Sequence, residues 1–346
     1  MATSQRSDFA HFYITNLLKD LKKLEVTRKK VVWRLKILFV AAAAIFMMSL
    51  AIDRGFGLSG SFPIIVGILL VPVVTFLYRF LISGYVHAFK VNVIQKIVHY
   101  IDPDLTYTPT GHVPKWQIVG SRIFSKHPDR VRGDDLVEGR IGETNMQFSE
   151  VHVEAKHEST TSSGGRQRRW STIFRGLFFV ADFNKKFSGK TLVLPDTAEH
   201  VLGSLGSFLQ SLNLTRGELI KMEDPELEKH FVVYGDDQIE ARYILSTSLM
   251  RRISEFRNKT GKRVCLSFIN SHVYVAIPYA RCLFEPRVFR SILGFKGIEQ
   301  CLEDFELFTG IVEDLNLNTR VWTKTAEEPL SPLARFFLNH PAGEPY

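Results

Sequence analysis

Cysteine is scarce in this sequence and offers no pairing: Cys265, Cys282 and Cys301 are three in 346 residues, odd in number and far apart. That excludes a framework of paired disulfides and leaves no C-x-x-C metal motif, so a reducing compartment is the simpler setting. Catalytic signatures are missing as well. There is no G-x-x-x-x-G-K-[ST] phosphate loop, no H-E-x-x-H zinc motif and no nucleophile elbow, which removes local support for three common enzyme architectures. His152 and His157 fall on one expected strand, but their five-residue spacing sends them to opposite faces, so exposed strand histidines are expected there and not a metal pair. The residues point to no cofactor and no metal, and they weigh against an enzyme. Neither sign of charge dominates: 44 Lys and Arg against 36 Asp and Glu leave +8, a balance that favours anionic partners. With 45% apolar residues the chain can bury a full core.

What the chain does have is a long apolar region between residues 37 and 83. The run ILFVAAAAIFMMSLAI, Ile37 to Ile52, carries no charge, and reaching back over VVWRL extends it to about 20 residues because Arg34 and Lys36 can snorkel. DRGFGLSGS separates it from FPIIVGILLVPVVTFLY, Phe62 to Tyr78, which continues past Arg79 into FLIS. Two transmembrane spans joined by a glycine-rich loop are expected, with Pro63 opening the second and Pro72 kinking it. A helical hairpin buried in a soluble protein is the competing expectation, because each run is slightly short. The flanks favour the spans. Lys19, Lys22, Lys23, Arg28, Lys29, Lys30, Arg34 and Lys36 precede the first, opposed by Asp20 and Glu25, while Arg79, Lys90 and Lys96 follow the second. By the positive-inside rule both termini are cytoplasmic. The long charged lead-in argues against a cleaved signal peptide. Within residues 9–30, Phe12, Leu17, Leu18, Leu21 and Leu24 recur at helical spacing beside a basic face. Such an amphipathic helix either lies on the inner leaflet or packs on protein.

Beyond residue 100 the pattern changes to that of an α+β domain with mainly antiparallel strands. His99 to Pro114, with three prolines, reads as a loosely structured lead-in. In NMQFSEVHVEA, Met146 and Phe148 share a face with Val151, Val153 and Ala155 only if the phase slips at Ser149–Glu150, which predicts a β-bulge there. His157 to Arg169 is too polar to bury and reads as a mobile hairpin loop. STIFRGLFFVADF after it reads as a strand buried on both faces, and KTLVLPD as another strand. AEHVLGSLGSFLQSL is helix-like and FVVYG strand-like; Asp236 or Asp237 caps a helix running to about Asn258, with Ile239, Tyr243, Leu249, Ile253 and Phe256 on its apolar side and Gly261 ending it. A hairpin turning at Asn270–Ser271 and a helix over Lys296–Asn316 follow, before a proline-containing tail. The expected organisation is a basic amphipathic helix at 1–36, a transmembrane hairpin at 37–83, a connector at 84–114, a β-rich part at 115–196, an α+β part at 197–324 and a peripheral tail at 325–346.

Two polar groups stand out. Arg166, Arg168, Arg169 and Arg175 with Trp170 have the chemistry to hold phosphate oxygens while the indole rests at headgroup level; a solvated basic loop is the alternative. Asp236, Asp237 and Glu240 with Arg242 are the best polar site in the second part, either binding a cation or positioning a base, against plain helix capping with a local ion pair. One short basic loop without a recognisable nucleic-acid-binding fold gives little support to DNA or RNA as partner.

The segments RGLFFVADFNKKFSGKT, YGDDQIEARYILSTSLM, SFINSHVYVAIP, LFEP and DLNLNTRVWTK, in this order, resemble the bacterial family catalogued as domain of unknown function 3137, from about the second span to Lys324. That resemblance implies a bacterial membrane-anchored protein with a cytoplasmic domain, no assigned catalytic residues and, in some members, encoding beside a LemA-type membrane protein. Residues and resemblance together lead to the expectation of a multi-pass protein of the bacterial inner membrane. Its domain would bind a protein, such as a LemA-type one, or anionic lipid as a scaffold, with a homo-oligomer as a further option. The competing expectation is a membrane-tethered enzyme using Asp236, Asp237 and Glu240.

Overall fold

The computed structural model describes residues 3–57, 60–160, 166–196 and 217–318. Thr3–Phe12 (α1), a π turn at Tyr13–Leu17 and Leu18–Phe56 (α2) form one rod; Ser61–Phe89 (α3), a second π turn at Lys90–Ile94 and Gln95–Ile101 (α4) form another. Both rods are long and apolar enough to cross a membrane. Their apolar stretches face outward: Val40, Met47, Ile68 and Phe76 are all exposed, and in the most apolar stretch of the second rod no residue is buried. A hairpin serving as a soluble core would bury these side chains, so the structure speaks against that alternative. Gly57, with φ +62°, ends α2, a left-handed position that glycine adopts without strain.

The rods do not stop where their apolar stretches end. Phe9, Tyr13, Leu17, Leu21 and Leu24 are buried, so the amphipathic segment packs on protein. Phe12 stacks on Tyr100 with ring centroids 4.3 Å apart, Lys96 pairs with Asp20 at 2.7 Å, and Phe9 and Tyr13 both meet Phe295. The lead-in expected to be loose is ordered. α4 runs through Ile101, Thr106–Thr108 pairs as a strand, and Val113, Ile118 and Ile123 are fully buried, because apolar residues between the prolines cover one face of a sheet.

That sheet has nine strands among the described residues: Thr106–Thr108 (β1), Arg130–Ile141 (β2), Thr144–Thr160 (β3), Arg166–Asp182 (β4), Lys190–Pro195 (β5), Glu218–Ile220 (β6), Phe231–Gly235 (β7), Cys265–Ile269 (β8) and His272–Pro278 (β9). The order is β1-β2-β3-β4-β9-β8-β5-β7-β6, every pair antiparallel. Residues expected in the β-rich part and residues expected in the α+β part therefore lie in one sheet, where β4 pairs with β9 and β5 with β7 and β8. The fold is a mixed α+β domain behind a pair of long apolar helices.

Both faces of the sheet are covered. Phe148, Leu177 and Phe179 point to the core beneath the helical rods, whereas Val151, Val153, Phe174 and Phe178 belong to a second core closed by the 113–124 segment. β3 therefore needs no phase slip at Ser149–Glu150. Its alternation is unbroken, and the bulge opposite Ser149 lies on β2, between Asp134 and Val137. A second irregularity, between Val153 and Glu154, is absorbed on β4 at Ile173. The two ends of the polar tract, 157–160 and 166–169, are strand, since β3 continues to Thr160 and β4 begins at Arg166; residues 161–165, where the expected loop turns, lie outside the described residues. Ladder hydrogen bonds and an opposite-charge pair between these ends, Arg168 with Glu158 at 3.3 Å, hold polar strands together without burial.

The helices of the second half follow. Pro225–Glu228 (α6) is one turn, Gln238–Ile244 (α7) starts at Asp237, and Thr247–Thr260 (α8) ends at Gly261. One continuous helix to Asn258 is thus replaced by two, broken at Leu245–Ser246, and Ile239 and Tyr243 are exposed as a result. Leu249, Ile253 and Phe256 are buried as expected. Asn270 and Ser271, both with positive φ, make the two-residue turn between β8 and β9. Phe295–Thr309 (α9) and Ile311–Asp314 (α10) complete the described chain, with Lys115–Gly120 (α5) lying earlier, in the segment before β2. The helix-like 198–212 segment and the tail lie outside the described residues.

Candidate functional site

The most unusual chemistry lies where the second rod meets the sheet. The π turn at Lys90–Ile94 inserts one residue into the helix, and as a result the adjacent Phe89 and Lys90 both face the domain. Opposite them, the β2 bulge puts Asp135 in the left-handed region at φ +61°. Its N–H leaves the ladder and donates to the Pro109 carbonyl at 3.2 Å. Gly133 permits the close approach beside it: a Cβ there would lie 2.4 Å from the Glu150 carbonyl and 2.7 Å from His112.

These two local irregularities bring five side chains together. Lys90 Nζ donates to Asp134 Oδ2 at 2.6 Å and to Asp135 Oδ2 at 2.8 Å, and the Tyr107 hydroxyl donates to Asp135 Oδ1. Glu150 completes the group, and the three carboxylates each bring an oxygen within 4.8 Å of the others. Lys90, Tyr107, Asp135 and Glu150 are buried, whereas Asp134 reaches solvent. Burial, then the charge of Asp134, push the Asp135 carboxyl up to about 7 against the pull of Lys90 and Tyr107. Burial likewise raises Glu150, opposed by the Leu283 N–H that donates to Oε2 at 3.0 Å. Burial and Asp135 raise the Tyr107 hydroxyl far above its ordinary value, so it stays a donor. Three carboxylates at this spacing are the group that could hold a cation. Lys90 already supplies one, and protons on the raised acids can supply the remaining neutralisation. The arrangement can therefore lock helix to sheet and hold a proton.

Residues 172–317 match the model of the family described as "Protein of unknown function (DUF3137)". The match begins in β4 and ends after α10. Lys90, Tyr107, Asp134, Asp135 and Glu150 all precede it, and the resemblance expected from the second span onward is demonstrated over a shorter stretch. No curated protein matches the chain. Among solved structures, the crystal structure of the mycobacterial trehalose monomycolate transport factor A, TtfA, aligns over 62% of this chain and 94% of its own, at 9% identity and a TM-score of 0.30. So distant a likeness bears on neither fold nor function.

The residues singled out from sequence divide differently. Arg168 and Arg169 are exposed on β4, Arg168 beside Glu158, and the Arg166 side chain lies outside the described residues. Trp170 is 42% exposed and carries the Arg130 guanidinium 4.1 Å above its ring. Arg175 lies seven positions along β4 from Arg168, about 23 Å, and donates to Cys282 Sγ. The structure thus keeps Arg175 away from the other arginines. Within the matched segment, the Asp237 carboxylate caps α7 by accepting from the Ile239 and Glu240 N–H groups. Glu240 accepts from the Ser188 and Gly189 N–H groups at 3.0 and 2.8 Å, Asp236 pairs with Lys190 at 3.2 Å, and Arg242 is exposed at the end of the same helix. His152 bonds to Thr172 at 2.9 Å.

Sequence reasoning did not single out the Lys90 group. Lys90 counted there only as one of the positive charges beyond a span, and Asp134 and Asp135 were not named. The one available signal was an acidic pair next to a glycine in an otherwise ordinary strand pattern.

Proposed function

We propose that this chain is a two-span protein of the bacterial inner membrane, both termini cytoplasmic, whose α+β domain is a binding scaffold held at the membrane surface. One observation carries the reading: the two apolar helices continue unbroken out of their apolar stretches and dock on the domain, so that sheet and anchor form one body. Lys90 pins that junction from inside. A domain needing only a tether would do with a flexible linker. A rigid one presents its surfaces to the membrane and to neighbouring proteins in a set orientation. The partner is a protein, for which a LemA-type membrane protein is the first candidate and a second copy of the chain the next, or anionic lipid. Asp236, Asp237 and Glu240 already serve backbone N–H groups and Lys190, so their geometry favours capping over a catalytic site.

Affinity purification of the full chain from native membranes, with co-purifying proteins and lipids identified, tests the scaffold. A specific partner retained by the intact chain supports it, and a chain that emerges alone after mild extraction and cross-linking refutes it. Topology is tested by reporters fused to Tyr346: activity of a periplasm-specific reporter there refutes the proposed orientation.

A further inference from the structure

An exposed turn of the domain lies beside the first rod, shortly before its apolar stretch begins. Residues 287–290 form it, closed by the Arg290 N–H donating to the Arg287 carbonyl at 3.3 Å. Three contacts lead the turn and the chain after it along that rod: Leu293 O accepts from the Tyr13 hydroxyl, the Ile292 N–H donates to Glu25, and Val288 O accepts from Arg28 Nη1 at 3.0 Å. From Leu293 back to Val288 the chain therefore climbs toward the apolar end of α2. Val288 packs on the core, while Phe289 is 61% exposed and Arg287 and Arg290 are exposed on either side of it.

The level of this turn follows from helix geometry. Arg28 lies six residues before Arg34, or about 9 Å along the axis. The polar headgroup layer adds about 5–8 Å to each side of the hydrocarbon. A phenylalanine side chain rising from the level of Arg28 therefore reaches headgroups whose hydrocarbon boundary lies near Trp33 and Arg34. Neither Arg287 nor Arg290 forms an ion pair with a described residue, and Lys29, Lys30 and Arg34, just before the apolar stretch of α2, add to the positive surface.

We infer that the 287–290 turn is a second membrane contact of the domain, with Phe289 seated among the headgroups of the leaflet on the domain's side and Arg287 and Arg290 binding the phosphates of anionic phospholipid. The inference rests on the reading that the two helices cross a bilayer. It adds a residue-level lipid site on the domain itself, separate from the arginines of β4.

The test uses the full chain in nanodiscs of fixed composition, neutral phosphatidylcholine with a minority of anionic phosphatidylglycerol. Bromine, which quenches tryptophan on contact, is carried on one lipid or the other. Trp33, read as the difference between the unsubstituted chain and Trp33→Phe, reports the anchor; Phe289→Trp, read against the same chain, reports the turn. The expected result is quenching at both positions, with the indole of Phe289→Trp quenched more per mole by the brominated anionic lipid. That preference should fall about fivefold for each of Arg287→Ser and Arg290→Ser. Quenching of Trp33 without quenching at position 289, or equal quenching of position 289 by both lipids, overturns the inference. An unquenched Trp33 overturns the membrane anchor instead.

Discussion

Replacing Lys90 by methionine removes the cation from the helix–sheet junction at little cost in volume, and its effect can be worked from the geometry. Lys90 Nζ lies 2.8 Å from Asp135 Oδ2, with the two side chains 5% and 1% exposed. At an effective dielectric of about 20 the gross attraction is about 6 kcal/mol. The contact to Asp134 counts for less, because that side chain is 38% exposed and solvent screens it. Removing both ions from water costs several kcal/mol, so the intact pair is near balance. Deleting one partner is a different matter: Asp135 remains buried without its counter-charge, and the expected loss is about 3–5 kcal/mol.

The pH dependence gives that prediction its specificity. Burial and Asp134 hold the folded pKa of Asp135 at about 7, above the ordinary carboxyl value. A carboxyl shifted in this direction contributes stability that is fully present below its unfolded pKa of about 4 and is lost as pH rises through the folded value. Without Lys90 the carboxyl is shifted higher still. The deficit of Lys90→Met should therefore be largest at pH 8 and shrink toward pH 5, as Asp135 takes up a proton. Lys90→Met with Asp135→Asn should recover part of the loss at pH 8. Denaturant unfolding of the full chain in detergent, followed by tryptophan fluorescence at several pH values, measures all three. A deficit below about 1 kcal/mol at pH 8, or one that does not change with pH, would refute the reasoning.

Asp237→Ala removes the cap of α7 and should lower stability by about 1 kcal/mol in the same unfolding assay. Gly176→Ala should be far more damaging, because φ is +154° and the added Cβ would lie 2.2 Å from the Ile277 carbonyl between β4 and β9; a loss above about 2 kcal/mol, or failure to accumulate as folded protein by circular dichroism, is expected. Burial pushes the Cys282 thiol up to about 11 and Cys301 to about 12. Alkylation of the native protein at pH 8 should accordingly be slow and become rapid on unfolding, as mass spectrometry of iodoacetamide-treated protein will report.

Much of the fold was legible where the signal is local. Val264 to Ile277 alternates around Asn270–Ser271, and a β8–β9 hairpin with that turn is present. The aromatic strand after Trp170 reads as buried on both faces, and its residues are split between two cores. The candidate site was not legible, because each of its parts looks ordinary alone. Neither a π turn at Lys90 nor a bulge at Asp135 leaves a periodicity that a sequence reader can separate from its neighbours. The expected phase slip on β3 shows the same limit: a strand covered on one face demands a slip there, whereas one covered on both faces does not, and only the packing says which applies.

The sequence by itself determined the two long apolar helices and the α+β character, because an uncharged run of that length has few stable surroundings and strand or helix periodicity is written residue by residue. Tertiary structure decided what the charged residues at the ends of those helices do. Basic side chains beyond a span read alike in one dimension, as flanking charge. Only the docking of the second rod onto a bulged strand turned Lys90 into the buried partner of Asp134 and Asp135, contacts to the first rod brought the 287–290 turn to the level of Arg28, and extension along β4 kept Arg175 away from the arginines with which it was grouped. Charge acts through distance, and distance between residues far apart in sequence is a property of the fold.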